Sequence, residues 1–246
     1  MLSTPLHKIL FLDIETVPQK EFFDELPTAI ADLWTEKYAQ LKSRNPEKYP
    51  YNSEKEAFQH CAGIYAEFGK IVCISVGYIH LSASGEKQFR SKSFFSDDEK
   101  LLLSDFCGLL NSFFISREHT FCGHNIKEFD IPYICRRLLV NRLPVPIPLQ
   151  ITGKKPWEVP FIDTLELWKF GDYKNYTSLK LLTAIFDIPT PKDDIDGSRV
   201  AEVYYREKNL QRIANYCQKD VLATAQLYLC LDNQSMIDAD CVKLVE

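Results

Sequence analysis

The sequence predicts an α/β fold with a mixed central sheet covered by helices, and three observations carry that expectation. A short apolar run near the start leads straight into Asp13-Ile14-Glu15. A β-branched, alternating stretch from Lys70 to His80 turns through Ser82-Ala83-Ser84-Gly85-Glu86 into a partner strand, Gln88 to Phe95. Beyond that hairpin, apolar residues recur at helical spacing almost to the end, interrupted by brief extended pieces.

Taken in order, Lys8-Ile9-Leu10 continues into a first strand, Phe11 to Thr16. Residues 20–68 then read as a helical excursion, with Phe22, Phe23, Leu26, Ile30, Leu33, Trp34, Tyr38 and Leu41 at helical spacing. Arg44 to Asn52 is a loop by its prolines and asparagines, and Ser53 with Glu56 forms a capping-box pattern that starts a second helix. Ser96-Asp97-Asp98-Glu99 opens a helix whose apolar stripe runs from Leu101 to Phe114. Thr120 to Gly123 is a short strand, followed by His124-Asn125 and a helix from Ile131 to Val140. Residues 143–160 are a proline-rich loop. Phe161 to Phe170 and Ser178 to Phe186 read as helices, with a brief strand at Ile162-Asp163 as the alternative start of the first. Pro189 to Gly197 is a second loop, and two helices finish the chain, the last from about Asn209 to Leu231. No repeat or linker divides the sequence, so residues 1–246 read as one domain.

Composition narrows the function. Hydrophobic content of 46% supplies a core, and no apolar run reaches the roughly 18 residues that span a bilayer. No signal-peptide pattern opens the chain, which points to a cytoplasmic protein without a membrane partner. The eight cysteines form no C-x-x-C pair and sit mostly in apolar stretches, as buried free thiols do. The net charge of −5 speaks against a protein that grips nucleic acid over a broad basic face. Between Lys127 and Lys180, nine Lys/Arg against six Asp/Glu leave a local surplus of 3, compatible with a basic rim around an acidic pocket.

Side chains two apart in a strand share a face, so Asp13 and Glu15 project together. Carboxylates that close repel unless a cation lies between them, and an all-oxygen donor set suits Mg²⁺ or Mn²⁺. The same pair would also be at home solvated at a strand tip. Asp130 falls just after a strand end, where α/β sheets place ligands, yet alone it reads as an acid favoured by a helix N-terminus. Tyr216 and Asp220 are four apart in the last helix, on a face shared with Ile213 and Thr224.

These pieces together resemble a known family. Asp-x-Glu at 13 and 15, Asn-x-x-x-Phe-Asp at 125–130 and Tyr-x-x-x-Asp at 216–220 occur in the order of the three motifs of the DEDD 3′–5′ exonucleases, in the tyrosine-bearing (DEDDy, DnaQ-like) subclass. Glu67-Phe68-Gly69-Lys70-Ile71-Val72 and Lys192-Asp193-Asp194-Ile195-Asp196-Gly197-Ser198 add a likeness to the stand-alone group related to the proofreading domain of family-B DNA polymerases. The resemblance spans about residues 8–232 and implies an RNase H-like fold, a free-standing nuclease and single-stranded DNA 3′ ends as substrate. It implies two divalent cations, Mg²⁺ or Mn²⁺, with Asp13 bridging both, Glu15 and Asp220 completing one site and Asp130 anchoring the other. It gives Tyr216 the task of orienting the attacking water. Phe129 would stack on a terminal base or pack in the core, and Asn125 would meet the terminal nucleotide or cap a helix starting near Glu128. His124 reads as structural. Asp163 would be an acid supporting the metal ligands and Lys192 a phosphate contact, or both ordinary surface or loop residues, and the sequence leaves open whether Lys180 contributes to the site. An exoribonuclease of the same superfamily, a silent nucleic-acid-binding domain and a hydrolase of small nucleotides are the rival functions.

Overall fold

In the computed structural model, residues 4–172, 174–189 and 195–244 are described. Six strands form one sheet: β1 (Ile9–Pro18), β2 (Gly69–Leu81), β3 (Lys87–Phe95), β4 (Thr120–Gly123), β5 (Ile162–Asp163) and β6 (Val242–Leu244). Their order is β5-β4-β1-β2-β3-β6. β1, β2 and β3 run antiparallel in a meander, whereas β4 pairs parallel with β1 and β5 parallel with β4. This is a mixed sheet flanked by helices, as the sequence predicts. The extra strand β6, which pairs parallel with β3 through Phe89 and Val242, was not expected, because three residues carry no periodic signal.

β1 is the middle of the sheet. A strand covered on both faces needs apolar side chains on both, which is why Ile9-Leu10-Phe11-Leu12 shows no alternation. Leu10, Leu12 and Ile14 face the layer of α3 (Glu99–Phe113) and α4 (Asp130–Val140). Ile9, Phe11 and Val17 face the long helix α8 (Leu210–Leu231). The odd-numbered face therefore carries Asp13 and Glu15 toward α8. A register break between Glu15 and Thr16 opens the ladder there, so the end of β1 departs from a regular strand where the two acids project.

The excursion contains α1 (Thr28–Arg44) and α2 (Glu54–Cys61), which share their own cluster around Trp34, Tyr38, Phe58 and Phe68. Ser53 caps α2 through Glu56 N, but the Glu56 carboxylate accepts from Asn52 N, so the reciprocal half of the box is shifted by one residue. One helix start differs from expectation: α4 begins at Asp130 rather than near Glu128. The stretch from Phe161 takes its alternative start, the brief strand at Ile162 and Asp163 that is β5, followed by α5 (Thr164–Lys169). α6 (Leu179–Ile185) and α7 (Val200–Glu202) complete the set, with α7 running on into a π-helical turn, Val203–Glu207. Among the described residues no helix is long and apolar enough to cross a membrane.

Candidate active site

Asp13 and Glu15 lie within β1, which runs on to Pro18 instead of ending at the acids, Asp130 begins α4, and Asp220 with Tyr216 comes from α8. The chain folds them into one place. Asp130 is 4% exposed and accepts Ile14 N at 3.2 Å, which ties the start of α4 to the strand between the first two acids. Burial, followed by the charges of Asp130 and Asp220, pushes the Asp13 carboxyl well above its usual range. Glu15 is pushed up by burial, then by Asp13 and Asp220. Asp130 rises to about 7 through burial, held back in part by backbone N–H groups that include Ile14. The Tyr216 hydroxyl hydrogen-bonds Asp220 one turn away; burial, then Asp220 and Glu15, drive its pKa further up, so it stays protonated.

Glu15 is 7% exposed and has no hydrogen-bond or ion-pair partner among the described residues. Glu15 opens on a cavity, and its carboxylate, gathered with three more acids, repels them unless a cation completes the set. The oxygen donors fit a hard divalent ion such as Mg²⁺ or Mn²⁺.

Cys217 is the neighbour that sequence reasoning missed. Its Sγ lies 3.4 Å from both the backbone carbonyl and Oδ2 of Asp13, and donor atoms of Asp13, Glu15 and Cys217 all fall within 4.8 Å of one another. Burial holds the thiol pKa far above normal, so Cys217 acts as a weak S–H donor that steadies Asp13. The available signal was its position one residue after Tyr216, on the side of α8 that meets β1.

Asp163 corrects a second expectation. It is not a surface residue: at 3% exposure it ends β5 and accepts Asn125 N at 2.9 Å, Lys127 N at 3.2 Å and Leu165 N at 3.0 Å. It thereby holds the turn after β4, where Asn125 adopts φ 64°, and so fixes the approach to Asp130. Asp163→Ala leaves three N–H groups without their acceptor and is expected to cost about 1–3 kcal/mol of stability. Thermal unfolding would detect this, and a midpoint equal to wild type would contradict the role.

The remaining expectations sort by position. Asn125 makes no side-chain cap to α4, whose N-cap is Phe129. Phe129 is half-buried, 5.5 Å from the Tyr133 ring, and also lines a cavity of about 250 Å³ beside Glu15. His124 is structural: Nε2 donates to the Thr177 carbonyl and Nδ1 meets Thr164 Oγ1, each at 2.9 Å. Lys180 is exposed on α6, and Lys192 lies outside the described residues. The supposed basic rim is smaller than its charge count suggests, because Arg137 is buried against Glu99 at 2.6 Å and Lys127 pairs with Glu166. Tyr176 was not foreseen; much of the residue is exposed and its ring lies 6.2 Å from His124, while partial covering of its hydroxyl, then the charges of Asp130, Asp163 and Asp13, raise its pKa.

A family described as predicted 3′–5′ exonucleases related to the exonuclease domain of PolB matches residues 64–240. The chain belongs to this family. The matched stretch includes Asp130, Tyr216 and Asp220, while β1 lies before it; the sheet joins the two, setting β1 between β2 and β4. The six-stranded mixed sheet flanked by helices in this exonuclease is consistent with the RNase H-like fold of the PolB exonuclease domain. Among solved structures it is similar to the family B DNA polymerase of the hyperthermophilic archaeon Pyrobaculum calidifontis, at 14% identity and a TM-score of 0.48. That likeness covers 90% of this chain, which spans about 24% of the polymerase. No curated protein matches the chain.

Proposed function

We propose that this exonuclease removes nucleotides from the 3′ ends of single-stranded DNA with the help of two divalent cations, Mg²⁺ or Mn²⁺. The observation that carries the reading is the convergence of Asp13, Glu15, Asp130 and Asp220, with Glu15 buried and unpartnered. Asp13, Glu15 and Asp220 would hold one cation, and Asp130 with Asp13 the other. When bound, the cations supply a water of lowered pKa and stabilise the departing 3′ oxygen. Tyr216 keeps its proton, bonds Asp220 and orients the attacking water; its raised pKa argues against outright proton abstraction. Asp130 holds its position through Ile14 N, and Cys217 steadies Asp13, so two of the acids are oriented before substrate arrives. The net charge of −5 suits a protein that holds a strand end rather than one that grips a duplex widely.

Degradation of 5′-labelled single-stranded DNA, read as a ladder shortening from the 3′ end, tests the reading. RNA of the same sequence cut at an equal or higher rate would move the assignment to an exoribonuclease. Tyr216→Phe removes the hydroxyl and keeps the ring. It is expected to lower the single-turnover rate by about 10- to 100-fold, the scale of losing one positioned polar group, without abolishing it. Full activity would remove Tyr216 from the mechanism.

A further inference from the structure

Two cavities adjoin at the end of β1 and share Pro18, Gln59, His60, Ser198 and Ala201. The inner one, about 250 Å³, opens on Glu15 and is walled by Phe129 and Ile64; the outer one, of equal volume, reaches Tyr205 and Arg206. We propose that this continuous groove binds the polynucleotide strand next to the scissile phosphate, and that the helical excursion exists in part to form its wall. This rests on the nuclease reading above and assigns a strand-binding role to residues outside the three motifs.

The excursion presents this wall because its other side is used. Ala57, Phe58 and Cys61 of α2 are buried in the excursion's cluster with Trp34, which leaves Gln59, His60 and Ile64 exposed. Ile64 is 48% exposed although apolar, and it shares the inner cavity with Phe129. An aliphatic side chain and an aromatic ring in the same cavity suit a nucleobase, since base stacking needs an apolar face and no sequence reading. The opposite wall is held in register: the Tyr205 hydroxyl donates to Pro18 O at 2.5 Å, fixing the π-helical turn against β1.

The outer end carries the charge. Arg206 is exposed there with His60, while Glu21 and Glu202 share the rim. Glu202 is engaged by Arg199 at 3.3 Å, which leaves Arg206 as the groove's guanidinium for a backbone phosphate. The small volume and mixed charge fit a single strand of one or two nucleotides and not a broad polyanion surface.

Fluorescence anisotropy of a labelled single-stranded oligonucleotide, with Ca²⁺ in place of the catalytic cation, tests this without relying on turnover. The double variant H60A/I64A and the single variant R206E change exposed side chains, and each is expected to weaken binding by about 10-fold, the scale of losing one stacked base or one phosphate contact. The R206E effect should shrink as salt is raised, and KM should rise in Mn²⁺ with kcat little changed. Ile147→Ala, an exposed apolar change outside the groove, should bind as wild type. Wild-type affinity in both groove variants, with 3′-end degradation intact, overturns the groove and leaves the nuclease standing. A wild-type protein that neither binds nor shortens the strand overturns both.

Discussion

Asp13→Asn is expected to lower single-turnover hydrolysis of a 5′-labelled oligonucleotide by about 10³-fold or more, the largest loss of any single substitution in the site. Asp13 feels the charges of both Asp130 from α4 and Asp220 from α8, as Glu15 does, and it alone of the two accepts from the Cys217 thiol among the described residues. It thus lies between the two halves of the cluster. The change is isosteric, and the S–H of Cys217 can still reach the backbone carbonyl of residue 13, so packing is preserved. What is lost is one negative charge where cations must be held. Calorimetric titration with Mn²⁺ should show a binding event weakened or missing. The same variant should be more stable than wild type in EDTA, because one repelling charge is gone, and each kcal/mol gained moves the midpoint by about 2–4 °C in a chain of this size. Activity within ten-fold of wild type would remove Asp13 from the centre of the mechanism.

The sheet was legible because its strands obey strong local rules. The hairpin from Lys70 to Phe95 alternates and turns on Gly85, and β1 announces itself as a covered strand by apolar residues on both faces. The acids were legible through motif spacing, and the odd-numbered face of β1 explains why the spacing matters: it directs positions 13 and 15 to the helix that carries 216 and 220. Cys217, Asp163 and Tyr176 were not legible, for separate reasons. Cys217 looks like any thiol in an apolar helix until the crossing of α8 over β1 sets its sulfur against Asp13. Asp163 is separated from its partners Asn125 and Lys127 by 38 and 36 residues, so only the parallel pairing of β4 with β5 brings them together. Tyr176 sits in a loop without periodicity, and the charges it faces come from three other elements. Side chains that act through local spacing can be read from a sequence; those that act through a crossing need the fold.

Metal-free protein is expected to lose stability as pH rises from about 4 to about 7, and saturating Mn²⁺ is expected to reverse that slope. Asp130 has its folded pKa raised to about 7 from 3.8, and Asp13 and Glu15 are raised as well. A raised carboxyl keeps its proton in the folded state after the unfolded chain has released it. Its stabilising contribution is therefore complete below the unfolded pKa and lost as pH climbs through the folded one. A tenfold change in a group's proton affinity corresponds to about 1.4 kcal/mol, so the cluster can move stability by a few kcal/mol across this window. His124, whose pKa is lowered by burial, works the other way as its neutral ring is challenged at low pH. The clean measurement is thus the difference between wild type and Asp130→Asn, a variant that keeps an acceptor for Ile14 N. In EDTA that difference should be near zero at pH 4 and should favour the variant at pH 8. A cation held at about 100 times its Kd adds about 2.7 kcal/mol to a protein that binds it only when folded. Because ligation requires the deprotonated acids, Mn²⁺ should stabilise wild type increasingly as pH rises and Asp130→Asn much less. Stability that is flat with pH in EDTA, for wild type and variant alike, would mean that the four acids do not share a buried field, and the cation reading would fall with it.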